Sequence, residues 1–413
     1  MTDLLKQVVD FYLKSGDFNG YYFHKEEDAE RAEAIDLVRQ GLLQVVSEED
    51  YLNPHIRPWP SRRSVDDQVA SIEELPESEY GVCLYPTPKA LKSRRLPKRL
   101  ADLPYSRAMA KGRGTLELAY FRFDVLEGYR NDPKFTFRFH DFGAYTVISD
   151  EAYFDEAENG SDKVHMSHIG FAYDLSGYIR DDPESPVVRL VCAFYGDLAD
   201  LNQIHQTRWK TYQIEPDDDL KPHPVWWRQQ MGHWPDGLGP FEKIFAELRA
   251  INVLHEQAFG QPLFHSSERP DDFGWILRSS QQEFDRFILD LDKLLSENLR
   301  HDAFDLHDVA RKDDRGNNIG TLNRLDRFLE IHQVPADIRT ELLGPLREVR
   351  RARQRPAHAL RKNITDKSFV HKQADLLERV GQTLDQLRHF FQTHPANVDW
   401  KPSEYLDTAG YRL

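Results

Sequence analysis

The chain has 413 residues, of which 40% are hydrophobic and 12% aromatic, and its 69 acidic and 54 basic residues give a net charge of −15. This length exceeds one ordinary core, so we expect two or three folded domains rather than disorder. The acidic balance disfavours a protein that coats duplex DNA. No apolar run reaches the about 18 residues of a membrane helix, and the N-terminus lacks a signal-peptide pattern. Cys83 and Cys192 are too few for a disulfide framework or a thiolate metal site, so we expect a cytoplasmic protein.

The first part of the chain, residues 1–75, predicts a small winged-helix-like unit. Its N-terminal apolar residues recur at helical spacing, and short strand patterns follow at 20–23 and 42–46, on either side of a helix at 26–40. A further helical patch is expected at 65–75. Such a unit serves in protein interaction as often as in DNA reading, and its predicted second helix is strongly acidic.

The central part, residues 76–272, predicts an antiparallel α+β middle domain with a sensing or regulatory role, open to a partner or a ligand. The predicted elements are a helix at 116–129, strands at 135–139, 144–148, 169–173 and 187–194, a loop at 225–235 and a helix at 241–259. His165 and His168 offer two imidazoles close to Asp162. Nothing at a fixed spacing supplies a third metal ligand, so a surface loop beginning a strand is the favoured interpretation.

The last part, residues 275–396, predicts an all-α bundle. Ser280 and Glu283 have the spacing of a capping box, and amphipathic patterns follow for four helices joined by short connections. The third helix begins at about residue 337, with a break predicted at 344–345. The predicted fold class is therefore a multidomain α+β protein with an all-α C-terminal bundle.

A basic run crosses the end of that third helix. Residues 347–362 hold seven basic residues against the single acid Glu348. Arg binds phosphate bidentately and keeps its charge, whereas His transfers protons near neutral pH. Pro356 lies in the run and predicts that the helix kinks or ends near Gln354. A break there would let Arg353 and His358 face one phosphate, with Arg351 almost beneath His358 on the helix. Phosphodiester chemistry is the expected activity.

This arrangement resembles the HEPN superfamily (higher eukaryotes and prokaryotes nucleotide-binding), in which an Arg and a His lie four to six residues apart near the end of a late bundle helix. The resemblance implies a metal-independent endoribonuclease site shared across a homodimer. Arg353 and His358 would be catalytic on an RNA substrate, leaving 2′,3′-cyclic phosphate ends, without metal or cofactor. Arg351, Gln354 and Arg355 would contact the substrate. Many such proteins act as toxins or in defence against phage.

The Arg–His separation alone is not specific, because it recurs along the chain. Further pairs are Arg228/His233, Arg249/His255, Arg300/His307, Arg327/His332, Arg351/His358 and Arg388/His394. The dense basic run and the helices around it distinguish Arg353 and His358. Three other interpretations stay open: a non-catalytic bundle that binds nucleic acid or protein, a purely structural basic helix, and a DNA-binding regulator that uses the N-terminal unit.

Overall fold

The computed structural model describes most of the chain. The described residues are 3–16, 18–24, 28–47, 50, 63–75, 81–92, 95–150, 152–153, 164–177, 188–357 (backbone only for 355–357), 362–403 and 405–408. The chain divides into two compact units. One unit comprises Met1–Thr136 and Gly143–Trp226, and the other comprises Phe137–Phe142 and Trp227–Leu413. Both helices and sheet are present, which confirms a mixed α+β protein.

The first unit begins with a small antiparallel sheet of strands β1 (Tyr21–Phe23), β2 (Leu43–Ser47) and β3 (Val82–Pro86). Their order is β1-β3-β2, so β1 and β2 each pair with β3 and not with each other. Every residue of β3 is buried, as expected for a central strand. This central strand lies beyond residue 75, in the range that the sequence assigns to the middle domain.

Helices accompany this sheet and confirm the predicted alternation of helix and strand. They are α1 (Asp3–Lys14), α2 (Asp28–Arg39), α3 (Val65–Glu73) and α4 (Pro88–Leu91), with a 3₁₀ turn at Lys98–Leu100. The apolar stripe of α1 is buried, which explains its helical spacing. Ser64 and Asp67 form a capping box that starts α3.

A larger antiparallel sheet fills the rest of the first unit. Its strands are β4 (Leu118–Arg122), β6 (Gly143–Ile148), β7 (His165–Asp174), β8 (Val188–Phe194), β9 (Gln213–Ile214) and β10 (Leu220–Pro222). The order is β6-β7-β8-β4-β9, and β10 pairs with β7. Strand β5 (Phe135–His140) runs from the first unit into the second. Strands β5, β6, β7 and β8 confirm the strands predicted at 135–139, 144–148, 169–173 and 187–194.

Two predicted elements of the central part are wrong. The helix predicted at 116–129 is strand β4, followed by a 3₁₀ turn (Phe123–Leu126) and the short helix α6 (Glu127–Arg130). Burial alternates along β4 because successive side chains of a strand point to opposite faces of the sheet. Its pairing with β8 and β9 overrides the helix-favouring composition. Most of the first half of the loop predicted at 225–235 belongs to helix α9 (Pro224–Gln230), whose Trp226 stacks on Phe194 at 5.6 Å between ring centres. The remaining helices here are α5 (Pro104–Ala110), α7 (Tyr195–Asp200) and α8 (Gln203–Tyr212).

The second unit is a helical region. Its helices are α10 (Pro240–Phe259), α11 (Gln281–Leu295), α12 (His301–Asp305), α13 (Thr321–Ile331), α14 (Ala336–Ala357) and α15 (Ser368–Gln392), followed by a 3₁₀ turn at Pro395–Asn397. Helix α11 packs on α14, and α15 packs on both α14 and α10. A fully buried ion pair joins α15 to α10, with Arg388 Nε 2.8 Å from Glu247 Oε2. Ser280 caps α11 as predicted.

Helix α14 is continuous through the first of the two positions where the sequence predicts a break. It runs past Pro345, so the break predicted at 344–345 is wrong. It ends at Ala357, three residues after Gln354, near which the sequence predicts a kink or an end. Proline inside a helix costs about 3 kcal/mol because it removes one hydrogen bond and crowds the preceding turn. Leu342, Leu343 and Leu346 are buried on either side of Pro345, and their packing holds the helix together. None of the helices in the described part of the chain is long and apolar enough to cross a membrane.

Candidate functional site

The last turns of α14 carry most of the predicted site. Arg351, Arg353 and Gln354 all lie in this helix, and Arg353 is the half-buried member of the three. Arg355 belongs to the same turn, although its side chain is outside the described part. His358 follows the end of the helix and lies outside the described residues altogether. The structure therefore defines the surroundings of the arginines.

Arg353 is fixed by two carboxylates from α11 and the turn that follows it. Its Nη1 donates to Asp292 Oδ2 at 2.6 Å and also to Glu297. Arg350, one turn earlier on α14, donates to the same Asp292 oxygen at 2.8 Å and to Glu297 at 3.4 Å. The Asp292 side chain is fully buried, and Ser296 donates its hydroxyl to the other carboxylate oxygen. A buried carboxylate with three donors makes a rigid anchor for the two arginines.

Asp292 is the residue that sequence reasoning missed, and the sequence did contain a signal for it. It follows Ile288 by four residues and precedes Leu295 by three, which places it on the buried apolar face of α11. A carboxylate at such a position requires a cationic or hydrogen-bonding partner. Arg350 is the second residue that sequence reasoning missed. Its signal is the three-residue separation from Arg353, which places both side chains on the same face of α14, toward α11.

Arg353 keeps part of its guanidinium available for a ligand. All its hydrogen bonds to described residues use Nη1, so the edge formed by Nε and Nη2 has no partner among them. The side chain is 29% exposed, which gives this edge access to solvent. The hydrogen bonds that Arg353 donates to Asp292 and Glu297 raise its pKa above the ordinary value. A fixed, permanently charged guanidinium edge is suited to bidentate phosphate binding.

The structure does not bring Arg351 onto the face of Arg353. Residues two apart on a helix point about 160° away from each other, and Arg351 is exposed, with its Nε donating to the Arg347 carbonyl at 3.2 Å. Gln354 is exposed as well, three residues after Arg351 and therefore on its side of the helix. Arg353 and Arg350 thus form one group, and Arg351 and Gln354 form another.

Carboxylates from other helices reduce the charge surplus of the basic run. Arg347 donates to Asp326 of α13 at 2.9 Å, whereas Arg350 and Arg353 share Asp292 and Glu297. The surplus of positive charge counted along residues 347–362 therefore overstates the positive electrostatic field around α14. The carboxylates that balance it lie far away in the sequence. A positive charge at the C-terminal end of α14 remains favourable, since the helix dipole is negative there.

The two histidines that the sequence offers as metal ligands do not form a better site. His165 and His168 lie within strand β7, where His168 Nδ1 is 3.4 Å from Asp197 Oδ2, and Asp162 lies outside the described residues. The neighbouring Asp197 carboxylate raises the pKa of His168. No third ligand joins this pair in the part of the chain that is described.

An acidic group at the other end of α15 is occupied by an arginine. Asp385, His389 and Asp407 present ligand atoms within 4.8 Å of one another. Arg388 lies among them and donates to Asp385 at 2.7 Å and to Asp407 at 2.6 Å. Both carboxylates accept hydrogen bonds from this buried guanidinium, which also pairs with Glu247, so the group is an ion-pair network around Arg388.

Comparison with known proteins finds no match to this chain among family models, curated proteins or solved structures. The functional interpretation therefore depends on the geometry of α11 and α14.

Proposed function

We propose that the helical unit is a HEPN-like bundle that acts as a metal-independent endoribonuclease. The observation that carries this proposal is the guanidinium of Arg353, held through Nη1 by the buried Asp292 and by Glu297 while its Nε–Nη2 edge stays available. Arg353 precedes His358 by five residues in the sequence and lies in the last turns of α14. An anchored cation that binds the phosphate and a histidine that transfers a proton are together suited to phosphodiester cleavage.

In the proposed reaction, Arg353 binds the non-bridging oxygens of an RNA phosphate and stabilises the charge that develops on them. His358 accepts the proton of the ribose 2′-hydroxyl, and the 2′-oxygen then forms its bond to phosphorus. The bond from phosphorus to the 5′-oxygen breaks, and this oxygen takes a proton from a second acid. The products are a 2′,3′-cyclic phosphate and a 5′-hydroxyl. DNA lacks the 2′-hydroxyl and would not be cleaved.

The second acid gives a reason for a homodimer. One histidine that has just accepted a proton from the 2′-hydroxyl is not the group that protonates the departing 5′-oxygen in the same step. A two-fold dimer would place a second copy of the same histidine across the substrate. In this proposal the neighbouring nucleotides contact Arg351, Gln354 and Arg355. Arg351 and Gln354 lie on a different side of α14 from Arg353, so they would not reach the phosphate that Arg353 binds.

The first unit is proposed to restrain or to trigger this activity in a cytoplasmic toxin or defence protein. Its N-terminal part would be a winged-helix-like unit, which the antiparallel order β1-β3-β2 and the flanking helices support. Helix α3 stands between β2 and β3, where a simple wing would have only a turn. The acidic first turns of α2, with Asp28 and Glu30, favour a protein partner over a DNA reader.

The test is incubation of the purified chain with mixed cellular RNA in EDTA, followed by analysis of fragment ends. Wild type should leave 2′,3′-cyclic phosphates, and both Arg353→Ala and His358→Ala should lose this activity while keeping the helical circular dichroism. His371→Ala is the matched control, because His371 is an exposed histidine of α15 and should leave cleavage intact. Equal cleavage by wild type and His358→Ala would refute the assignment.

A second function is favoured by a specific observation. Arg347, Arg350 and Arg353 are all paired with carboxylates, as expected for a basic helix that organises a bundle without catalysis. Such a bundle would bind nucleic acid or protein through the exposed side of α14. Intact RNA together with salt-sensitive RNA retention, weakened by Arg351→Ala, would identify this alternative.

A further inference from the structure

A second basic run lies in the first unit, in a segment that has no role in the proposed reaction. Residues 89–113 hold nine basic residues against the single acid Asp102. This surplus exceeds that of residues 347–362, although the chain as a whole is acidic. Six exposed members of the run form what we call the basic surface: Lys89, Lys92, Lys98, Arg99, Arg107 and Lys111.

We propose that the basic surface binds the phosphate backbone of single-stranded RNA and recruits RNA to the protein. The choice of RNA among polyanions rests on the proposed ribonuclease function, whereas the surface itself includes neither Arg353 nor His358. A nucleic acid strand carries one negative charge per nucleotide, so it matches a surface with several separate cations. Contacts to the backbone carry no sequence information, so RNA of any sequence should bind.

The cations of the basic surface keep their charge. Lys89 Nζ donates to the Gln40 carbonyl at 2.9 Å and Arg99 Nη2 donates to the Leu13 carbonyl at 2.8 Å, and neither bond neutralises the donor. Within the described ranges, none of the six cations forms an ion pair with a carboxylate. The arginines of α14, by contrast, are paired with carboxylates. The positive charge of the basic surface is therefore more available to a partner than that of α14.

Acidic residues close to the basic surface remove little of its charge. Glu117 pairs with Arg113, a cation that follows the surface in the sequence. Asp102 is exposed and forms no ion pair with another described residue, and Asp36 accepts from the Gln40 side-chain amide at 3.2 Å. The six cations outnumber these acids two to one, and one of the acids is already paired. The surface therefore keeps a net positive charge.

The elements that carry the six cations contact one another. Gly112 directly follows Lys111 and packs against Pro88, the first residue of α4, so that a Cβ on Gly112 would lie 2.7 Å from Pro88 Cγ. This contact places the end of α5 beside α4. The Leu103 amide donates to the Leu100 carbonyl at 3.4 Å, which joins the 3₁₀ turn at 98–100 to the start of α5.

The end of α1 connects the same elements from a third side. The Tyr12 hydroxyl donates to the carbonyl of Met109 in α5. The next residue of α1, Leu13, accepts the hydrogen bond from Arg99 of the 3₁₀ turn. The cations of α4, the 3₁₀ turn and α5 therefore belong to one continuous part of the first unit.

Helix α5 points two of the cations toward solvent. Its buried residues include Tyr105, Ser106 and Met109, which lie on one side of the helix. Arg107 and Lys111 are four residues apart and exposed on the opposite side. Neither side chain forms a hydrogen bond or an ion pair with another residue of the described chain. Both are therefore available to bind phosphate oxygens.

The composition of the surface favours a nucleic acid over a membrane. Proteins that lie on an anionic membrane combine basic residues with Trp, Phe or Leu side chains that enter the lipid. The described residues between 88 and 113 include no exposed large apolar side chain. A surface of exposed cations without apolar neighbours is typical of contacts to phosphate backbones.

The experiment measures binding of the full chain to a fluorescein-labelled 2′-O-methyl oligoribonucleotide by fluorescence anisotropy at several salt concentrations. The methyl group blocks the 2′-oxygen, so binding is measured without cleavage. The logarithm of the binding constant should fall with that of the salt concentration, with a slope of about −0.7 for each phosphate contact. Arg107→Gln/Lys111→Gln should bind at least about tenfold more weakly at about 50 mM salt and reduce the slope by about 1.4. This variant should keep the circular dichroism of wild type.

The matched control is Lys6→Gln/Lys221→Gln. It removes two exposed lysines of the same unit, one in α1 and one in β10, and should bind like wild type. Equal weakening in this control would overturn the proposal, because the effect would then reflect overall charge alone. Absence of binding by the wild type would overturn it as well, as would unchanged binding by Arg107→Gln/Lys111→Gln.

Two further arms separate the alternatives. Binding of the wild type to vesicles of phosphatidylserine and phosphatidylcholine, without binding to the oligonucleotide, would replace RNA by a membrane and overturn the proposal. Unmodified RNA separates the basic surface from the proposed ribonuclease. Salt-sensitive binding that depends on Arg107 and Lys111, without cleavage, would refute the ribonuclease and support the surface. Cleavage by a chain whose RNA binding is unaffected by Arg107→Gln/Lys111→Gln would support the ribonuclease and refute the surface.

Discussion

The clearest prediction concerns Asp292→Asn, which keeps the side-chain volume and removes the buried charge that anchors two arginines. Arg353 and Arg350 each lose a charge-assisted hydrogen bond, at 2.6 and 2.8 Å, and each such bond contributes about 1.5–3 kcal/mol. The arginines are 29% and 40% exposed, so water and Glu297 replace part of this loss. Asn also keeps one acceptor oxygen. We therefore expect a net destabilisation of about 1–2 kcal/mol.

The free energy of unfolding is to be measured by urea denaturation and by hydrogen exchange of the amides in α11 and α14. Asp290→Asn is the matched control on the same helix, because Asp290 pairs with Lys293 and Arg286 at the surface. An exposed pair of this kind contributes at most about 1 kcal/mol, and we expect a loss below about 0.5 kcal/mol. Equal losses in Asp290→Asn and Asp292→Asn would refute the reasoning, as would a stability of Asp292→Asn equal to wild type.

Three further perturbations test other parts of the structure. Gly344→Ala should stabilise α14 by about 0.5–1 kcal/mol in urea denaturation, since a Cβ there meets nothing within 4 Å, and destabilisation would contradict this. Gly170→Ala should lower the melting temperature, because its Cβ would lie 2.5 Å from ring carbons of Trp226; an unchanged value would show that the ring moves freely. The pKa of His168 should lie above its ordinary value in an NMR titration, and it should fall in Asp197→Asn. The stability that this pair contributes is therefore present at low pH and lost as the pH rises through the pKa of His168. A pKa of His168 that is the same in Asp197→Asn as in wild type would exclude the pairing.

Local patterns were sufficient where burial and backbone geometry agree. Strand β6 and helix α15 follow from period-two and helical spacing of apolar residues, since each buries one clear face. Strand β4 was missed because Leu, Glu and Ala favour a helix locally. Only its pairing with β8 and β9, which lie about 70 and 90 residues later, makes it a strand.

The candidate site, like the fold, could be predicted only in part from the sequence. The arginines of α14 were visible in the sequence as a dense run, and the role of Arg353 as an anchored cation agrees with that pattern. Its partners Asp292 and Glu297 lie more than fifty residues earlier, so no count along the chain reveals that they face the run. The continuity of α14 across Pro345 was equally hidden, because it depends on buried leucines packing against neighbouring helices.

The order of the N-terminal sheet has a consequence for synthesis of the chain. Strands β1 and β2 both leave the ribosome before β3, the strand that each of them needs as a partner. The segment from Ser47 to Pro86 takes roughly 2–8 s to make at about 5–20 residues per second. During that interval β1 and β2 each lack their native partner strand. Their unpaired backbone groups are then accessible to chaperones or to other nascent chains. A fragment ending at residue 75 would keep that state permanently, whereas one extended past Pro86 could complete its sheet.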